Sequence, residues 1–128
     1  MMQKILLIED DRFIREMYQE ELKKAGFLVS AYGSGEEGLQ ALQQNHFDLV
    51  LLDIMLPGMN GLEVLKQIKL NLQTKNLKVV ILTNLGQETI IKEGFKIGAT
   101  GYLIKSSYNP DQIVQEVKRF TQDNSYSF

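Results

Sequence analysis

A three-layer α/β domain, a parallel sheet with helices on both faces, follows from three features of the 128-residue sequence. The runs Ile5-Leu6-Leu7-Ile8, Leu49-Val50-Leu51-Leu52 and Val79-Val80-Ile81-Leu82 have no polar face, which suits strands covered on both sides. Stretches with apolar residues at helical spacing separate them. Strand-like and helix-like segments alternate five times, the pattern of βα units joined by right-handed crossovers.

Strand one, Lys4 to Ile8, exits into Glu9-Asp10-Asp11, three consecutive acids. Phe13, Ile14, Met17, Tyr18 and Leu22 then recur at helical spacing up to the Ala25-Gly26 stop, predicting a helix buried through those residues. Phe27-Leu28-Val29-Ser30-Ala31 is a brief second strand, and Ser34-Gly35-Glu36-Glu37 has capping-box form ahead of Leu39 and Leu42. The third strand runs into Asp53, after which Pro57-Gly58 and Asn60-Gly61 turn the chain. Asn60 can cap a third helix with Glu63 in its first turn and Leu62, Leu65, Ile68 and Leu72 as its apolar stripe. Strand four, Lys78 to Thr83, leads to a helix holding Ile90, Ile91 and Phe95 that stops at Gly98. Gly101-Tyr102-Leu103-Ile104-Lys105 is the fifth strand. Asn109-Pro110-Asp111-Gln112 opens the last helix with a cap, a proline at the first position and Gln three residues after the cap; Ile113, Val114, Val117 and Phe120 give its buried side.

The length is that of one domain, taken as 1–124 with a short tail at 125–128. With 44% hydrophobic and 23% charged residues the composition is that of an ordinary globular protein, and no low-complexity linker interrupts it. A net charge of −2 argues against a broad basic surface, so neither direct nucleic-acid binding nor membrane binding is expected. The absence of cysteine excludes thiol catalysis and thiolate metal sites. No apolar run approaches the roughly 20 residues needed to cross a bilayer, and a cytoplasmic location is expected.

In a parallel sheet Glu9 and Asp10, Asp53, Thr83 and Lys105 all arrive at one edge, from strands one, three, four and five. Singly, each has a plain structural role as an acidic turn, a cap or a surface lysine; jointly they form a candidate site in the crevice outside the strand ends. Three carboxylates held together raise one another's pKa unless a cation neutralises them, which implies a divalent metal. All-oxygen ligands without cysteine favour Mg²⁺, normally completed by waters and phosphate oxygens. A carboxylate beside Mg²⁺ can attack phosphorus in line while a lysine and a hydroxyl stabilise charge on the equatorial oxygens, and Asp53 is the natural nucleophile.

These residues resemble the receiver domain of two-component response regulators over essentially the whole chain. The resemblance rests on Ile5-Leu6-Leu7-Ile8-Glu9-Asp10-Asp11, on Asp53-Ile54-Met55-Leu56-Pro57-Gly58-Met59-Asn60-Gly61, on Thr83 and on Gly98-Ala99-Thr100-Gly101-Tyr102-Leu103-Ile104-Lys105, in this order. A chemotaxis member of that family is itself a standard example of a doubly wound, flavodoxin-like sheet of order 2-1-3-4-5, so that order comes with the resemblance. It implies that Asp53 accepts a phosphoryl group from a phosphohistidine on a sensor histidine kinase or phosphotransfer protein. It also implies that Asp10, Asp53 and the Met55 backbone carbonyl bind Mg²⁺, with Glu9 acting through water. Lys105 would pair with a phosphoryl oxygen, and Thr83 and Tyr102 would serve as switch residues that alter the face of helix four, strand five and helix five. Such a protein is a signalling switch controlling an output protein, not an enzyme beyond its own phosphorylation and dephosphorylation, and is a monomer or a phosphorylation-dependent dimer. The phosphoryl adds about −1.5 to −2 of charge, enough to bias a two-state element.

The chain departs from the family in places. Lys105-Ser106 stands where Lys-Pro with a cis peptide is usual, and a cis bond before serine costs about 2.5–4 kcal/mol, which allows Lys105 a different aim. Asn84 replaces a small residue, and Met55 and Leu85 are apolar where the family tunes dephosphorylation, so a slowly hydrolysing phosphoaspartate is expected. Thr100-Gly101 lacks the acidic pair of the winged-helix branch, giving no support to that branch's ion-paired dimer. His46 reads as a surface or packing residue. A flavodoxin would be repelled by Glu9-Asp10-Asp11 near its phosphate, and a haloacid-dehalogenase-type phosphatase needs an acid where Met55 stands. The alternative function is a phosphorylation-deficient pseudo-receiver that acts as a protein docking module.

Overall fold

The computed structural model describes residues 2–122, so the expected tail at 125–128 and the end of the expected 1–124 domain lie outside the described residues. Strands and helices alternate: β1 Lys4–Ile8, α1 Arg12–Lys24, β2 Leu28–Tyr32, α2 Gly35–Gln44, β3 Leu49–Asp53, α3 Gly61–Leu70, β4 Lys78–Thr83, α4 Glu88–Ile97, β5 Gly101–Ile104 and α5 Pro110–Gln122, with a 3₁₀ turn at Lys105–Ser107. All pairings are parallel, in the order β2-β1-β3-β4-β5. This is the doubly wound, flavodoxin-like sheet that the sequence leads one to expect.

Successive side chains of a strand point to opposite faces, so a strand without a polar face can serve two cores at once. Ile5, Leu7, Leu49, Leu51, Val80, Leu82 and Leu103 face α1 and α5, meeting Leu22, Ile113, Val117 and Phe120. Leu6, Ile8, Val50, Leu52, Val79 and Ile81 face the other way, meeting Ala41, Val64, Leu65 and Ile68 of α2 and α3 and, more loosely, Ile90 and Ile97 of α4. Truncating one of these fully buried side chains to alanine typically costs about 2–5 kcal/mol.

The starts of α1, α2, α3 and α5 are fixed by side chains, whereas α4 begins without one. Asp11 Oδ1 accepts the Ile14 N–H at 3.1 Å, Ser34 Oγ that of Glu37 at 3.2 Å and Asn60 Oδ1 that of Glu63 at 3.0 Å. At α5 the box closes in both directions: Gln112 N–H donates to Asn109 Oδ1 at 2.9 Å, and Asn109 N–H to Gln112 Oε1 at 2.8 Å. Each such cap contributes about 1 kcal/mol. One of the three consecutive acids, Asp11, is therefore a cap.

Several local expectations are corrected. Phe13 is 77% exposed: it precedes Leu22 by nine residues, two and a half turns at about 3.6 residues per turn, and so lies on the opposite face of α1. Leu72 is 81% exposed because α3 ends at Leu70, where Asn71 takes an extended backbone and its side chain accepts the Gln73 N–H at 2.9 Å. Strand β2 begins at Leu28, since the Phe27 N–H bonds back to Leu22 O and closes α1. Strand β5 ends at Ile104, leaving Lys105 to open the 3₁₀ turn. Among the described residues no helix is long and apolar enough to cross a membrane.

Candidate functional site

From β1 the chain passes to β2 on one side and then to β3 on the other, so the connections diverge between β1 and β3. That divergence opens a crevice at the C-terminal strand ends, where open α/β sheets bind ligands. Carboxylate oxygens of Glu9, Asp10 and Asp53 lie there within 4.8 Å of one another. Glu9 is fully buried and Asp53 is 4% exposed, whereas Asp10 is open to solvent.

Asp53 is held from several directions. The Met55 N–H donates to its Oδ1 at 3.0 Å, and Lys105 Nζ donates to its Oδ2 at 3.1 Å. The loop after β3 folds back so closely that a Cβ at Gly61 would stand 2.5 Å from both Asp53 O and Ile54 Cα; only glycine fits. Lys105 Nζ also donates to Glu9 Oε1, so one ammonium serves both buried acids. The other Glu9 oxygen, Oε2, accepts the Asp11 N–H at 3.1 Å.

Electrostatics separates the two carboxylates. Burial pushes Glu9 up to about 7, and the hydrogen bond from Lys105 opposes this only in part. Burial would raise Asp53 too, but hydrogen bonds from the Glu9 carboxyl and the Met55 N–H, together with the Lys105 charge, hold it below the ordinary aspartate value. Burial disfavours the Lys105 ammonium, yet Glu9 and Asp53 outweigh that and raise its pKa. At neutral pH the cluster therefore carries an ionised Asp53 facing a charged lysine, while Glu9 takes the proton most readily.

The remaining expected residues are placed less tightly. Thr83 is buried at the end of β4, but its hydroxyl donates to Asn84 O at 3.3 Å and is not hydrogen-bonded to Asp53. Tyr102 lies on β5, 43% exposed, with its ring edge-on to Phe95 at 6.0 Å between centroids. The Met55 side chain is half exposed. His46 is on the surface, 3.5 Å from Asp48 Oδ1. A cavity of about 600 Å³ lies among residues such as Asn45, Asp48, Gln73 and Lys78 at the other edge of the sheet and holds none of the acids.

Two residues beside the cluster escaped the sequence reading. Tyr18, read only as core, is buried, and its phenol pKa is raised first by burial and then adjusted by the charges of Lys105, Glu9 and Asp53. Its signal was a polar atom on an otherwise apolar helix face. Arg15 Nη1 donates to the carbonyl oxygens of Glu9, at 2.8 Å, and Asp10, at 3.3 Å. No local sequence pattern announces a side chain that binds the carbonyls of the preceding loop.

Comparison with known proteins agrees with this geometry. Residues 5–118 match the family described as response regulator receiver domain. The chain is 36% identical over 124 residues to the transcriptional regulatory protein CrdR of Helicobacter pylori, covering 97% of this chain and 57% of that protein. It is 38% identical over 104 residues to the transcriptional regulatory protein AfsQ1 of Streptomyces coelicolor, covering 81% and 45%. The chain thus spans about half the length of these curated relatives. Among solved structures, the chemotaxis response regulator CheY4 of Vibrio cholerae superposes with a TM-score of 0.86 at 32% identity, covering 93% of this chain and 98% of that one. The phosphorylated cyanobacterial phytochrome response regulator RcpA gives 0.85 at 30% identity, covering 96% of each chain.

Proposed function

The chain belongs to the response regulator receiver domain family of two-component signalling, and from that premise we propose that Asp53 is the phosphoacceptor of a signalling switch. The observation that carries the proposal is the contact between Lys105 Nζ and Asp53 Oδ2 at 3.1 Å. It keeps a buried carboxylate ionised, hence nucleophilic, with a cation already beside the oxygen where new charge arrives.

In the proposed step an Asp53 oxygen attacks the phosphorus of a phosphohistidine on a sensor histidine kinase or phosphotransfer protein. The new P–O bond forms as the P–N bond breaks, and its electron pair returns to the imidazole. Asp10 and Asp53, the Met55 carbonyl and, through water, Glu9 would hold Mg²⁺; an all-oxygen cluster of three acids, with Asp10 open to solvent, fits that ion. Bound there, Mg²⁺ supplies positive charge to the phosphoryl oxygens. Lys105 then moves from the free carboxylate to a phosphoryl oxygen, and the Thr83 hydroxyl leaves Asn84 O for another. Tyr102 turns inward behind it, which changes the surface of α4, β5 and α5 and so controls an output protein. The net charge of −2 supports a protein output over direct contact with nucleic acid.

Intact mass after incubation with a small phosphodonor and Mg²⁺ tests this. The wild type gains one phosphoryl mass and Asp53→Asn gains none. A wild type that gains nothing supports the docking module instead.

A further inference from the structure

The side chain of Asp10 has no visible means of staying aimed at the cluster: it is exposed, and its carboxylate accepts no hydrogen bond from the described residues. What is fixed is its backbone. The Glu9 N–H donates to Tyr32 O at 3.0 Å, and one guanidinium nitrogen, Arg15 Nη1, donates to both Glu9 O and Asp10 O. Arg15 itself sits on the first turns of α1, whose start is pinned by the Asp11 cap and by the Arg15 N–H bonded to Asp11 O at 2.8 Å. The guanidinium lies against the β2–α2 connection at Gly33, where an added Cβ would stand 3.0 Å from Nη1 and 3.6 Å from Cζ and would meet nothing else within 4 Å. Gly33 does not have positive φ, so its backbone conformation alone does not call for glycine.

We propose that Arg15 is a positioning residue for the acidic site: seated in the space left by Gly33, it clamps the Glu9 and Asp10 carbonyls and thereby aims the Asp10 carboxylate at Asp53. The reading rests on the proposed phosphoacceptor site but concerns the order of the loop, which exists without metal or phosphate. A charged donor bonded to two carbonyls makes a strong hold, since hydrogen bonds to an ionised group are roughly twice as strong as neutral ones. Groups that orient a metal's ligands typically change its affinity about 10–100-fold when removed. Arg15 therefore acts on the site through backbone, without touching a reacting atom.

The experiment uses the whole chain in four forms: wild type, Arg15→Met, Gly33→Ala and the double variant. Without metal, backbone amide relaxation of Asp10 and Asp11 is measured by NMR. Arg15→Met loosens both amides while the amides of β3 and β4 stay as ordered as in the wild type. Mg²⁺ alone is then titrated, following the same amides, and Arg15→Met weakens binding about tenfold. Gly33→Ala, which crowds only the guanidinium, weakens it less, and does nothing in the Arg15→Met background. Unchanged amide order at Asp10 in Arg15→Met overturns the proposal, as does an equal effect of Gly33→Ala with and without Arg15. A wild type that binds no Mg²⁺ yet shows the Arg15-dependent loop order overturns the metal reading of the site and leaves the clamp standing.

Discussion

Lys105 and Asp53 meet although a strand lies between them: Asp53 ends β3, Lys105 follows β5, and β4 runs between the two. The lysine side chain crosses that strand's end to reach Oδ2 at 3.1 Å and also engages Glu9 beyond. Serine after Lys105 does not redirect it, because the residues Lys105–Ser107 wind into a 3₁₀ turn that still sends the side chain over the sheet edge. The buried cation offsets two buried carboxylates, an arrangement that is strongly destabilised when one partner is lost.

The shared proton makes stability pH-dependent. Glu9 has an ordinary value of 4.5 and is raised to about 7 in the fold, so between those values the folded chain binds more protons than the unfolded chain. Stability therefore falls as pH rises from about 4.5 through 7, by about 3 kcal/mol at most. Asp53, held below its ordinary 3.8, contributes stability present above that value and lost only as pH falls through its lower folded value. Lys105, raised above 10.5, loses its contribution only in strong alkali. Denaturant unfolding of metal-free protein at pH 5 and pH 8 brackets the Glu9 window and lies outside those of Asp53 and Lys105. Wild type is expected to be more stable at pH 5, and Glu9→Gln to lose most of that difference. An unchanged difference in Glu9→Gln would assign it to other groups.

Most of the fold was legible because its cues are local. The apolar runs of β1, β3 and β4, the caps at Ser34, Asn60 and Asn109 and the stop at Gly98, with φ of 128°, each act within a few residues. The sheet-edge residues Glu9, Asp10, Asp53, Thr83 and Lys105 were legible once the strands were known, since a parallel sheet brings their ends together. Phe13 and Leu72 were misjudged because spacing alone did not fix the angular position of one or the helix end before the other. The burial of Glu9 and the hold of Arg15 on two carbonyls were invisible, because both depend on contacts between segments rather than on residue type.

Asp10 should be worth more to function than to stability. It adds a further negative charge beside the Glu9–Asp53 pair, whose lysine is already engaged by both. Asp10→Asn removes that repulsion while leaving the Lys105 contacts intact, so metal-free protein should melt a few degrees higher. Mg²⁺ affinity should fall at least about tenfold. Scanning calorimetry with and without Mg²⁺ checks both halves; a lower melting temperature in the metal-free variant contradicts the repulsion argument.

The phosphorylated form should be long-lived. Hydrolysis needs a water oriented for attack on phosphorus, and side chains that take part in such proton transfers contribute about 10²–10⁴-fold. The side chains of Met55 and Leu85, 49% and 67% exposed, carry no donor and no acceptor stronger than a thioether to hold that water. The phosphoaspartate is expected to persist for minutes or longer, and Met55→Asn to shorten it about tenfold. Following the phosphorylated mass after removal of the phosphodonor gives the lifetime; decay within seconds in the wild type would end the argument.

Tyr102 and Phe95 form the contact that the proposed switch must break. Their rings meet edge-on at 86° with centroids 6.0 Å apart, on β5 and α4, both partly exposed. Such a pair contributes about 0.5–1.5 kcal/mol beyond its buried area. Helix α4 is loosely seated: of its residues only Gly94 is fully buried, so the ring pair is a sizeable part of what ties α4 to β5. If Tyr102 turns inward on phosphorylation, it forfeits this contact, and the outward state is favoured by that amount. Phe95→Ala removes the preference and should raise the inward population of unphosphorylated protein about two- to tenfold. Fluorine NMR of fluorotyrosine-labelled protein, with Tyr102→Phe to assign the signal, measures both populations. The phosphorylated wild type and unphosphorylated Phe95→Ala should shift the Tyr102 signal in the same direction, and opposite shifts would show that this ring pair does not oppose the switch.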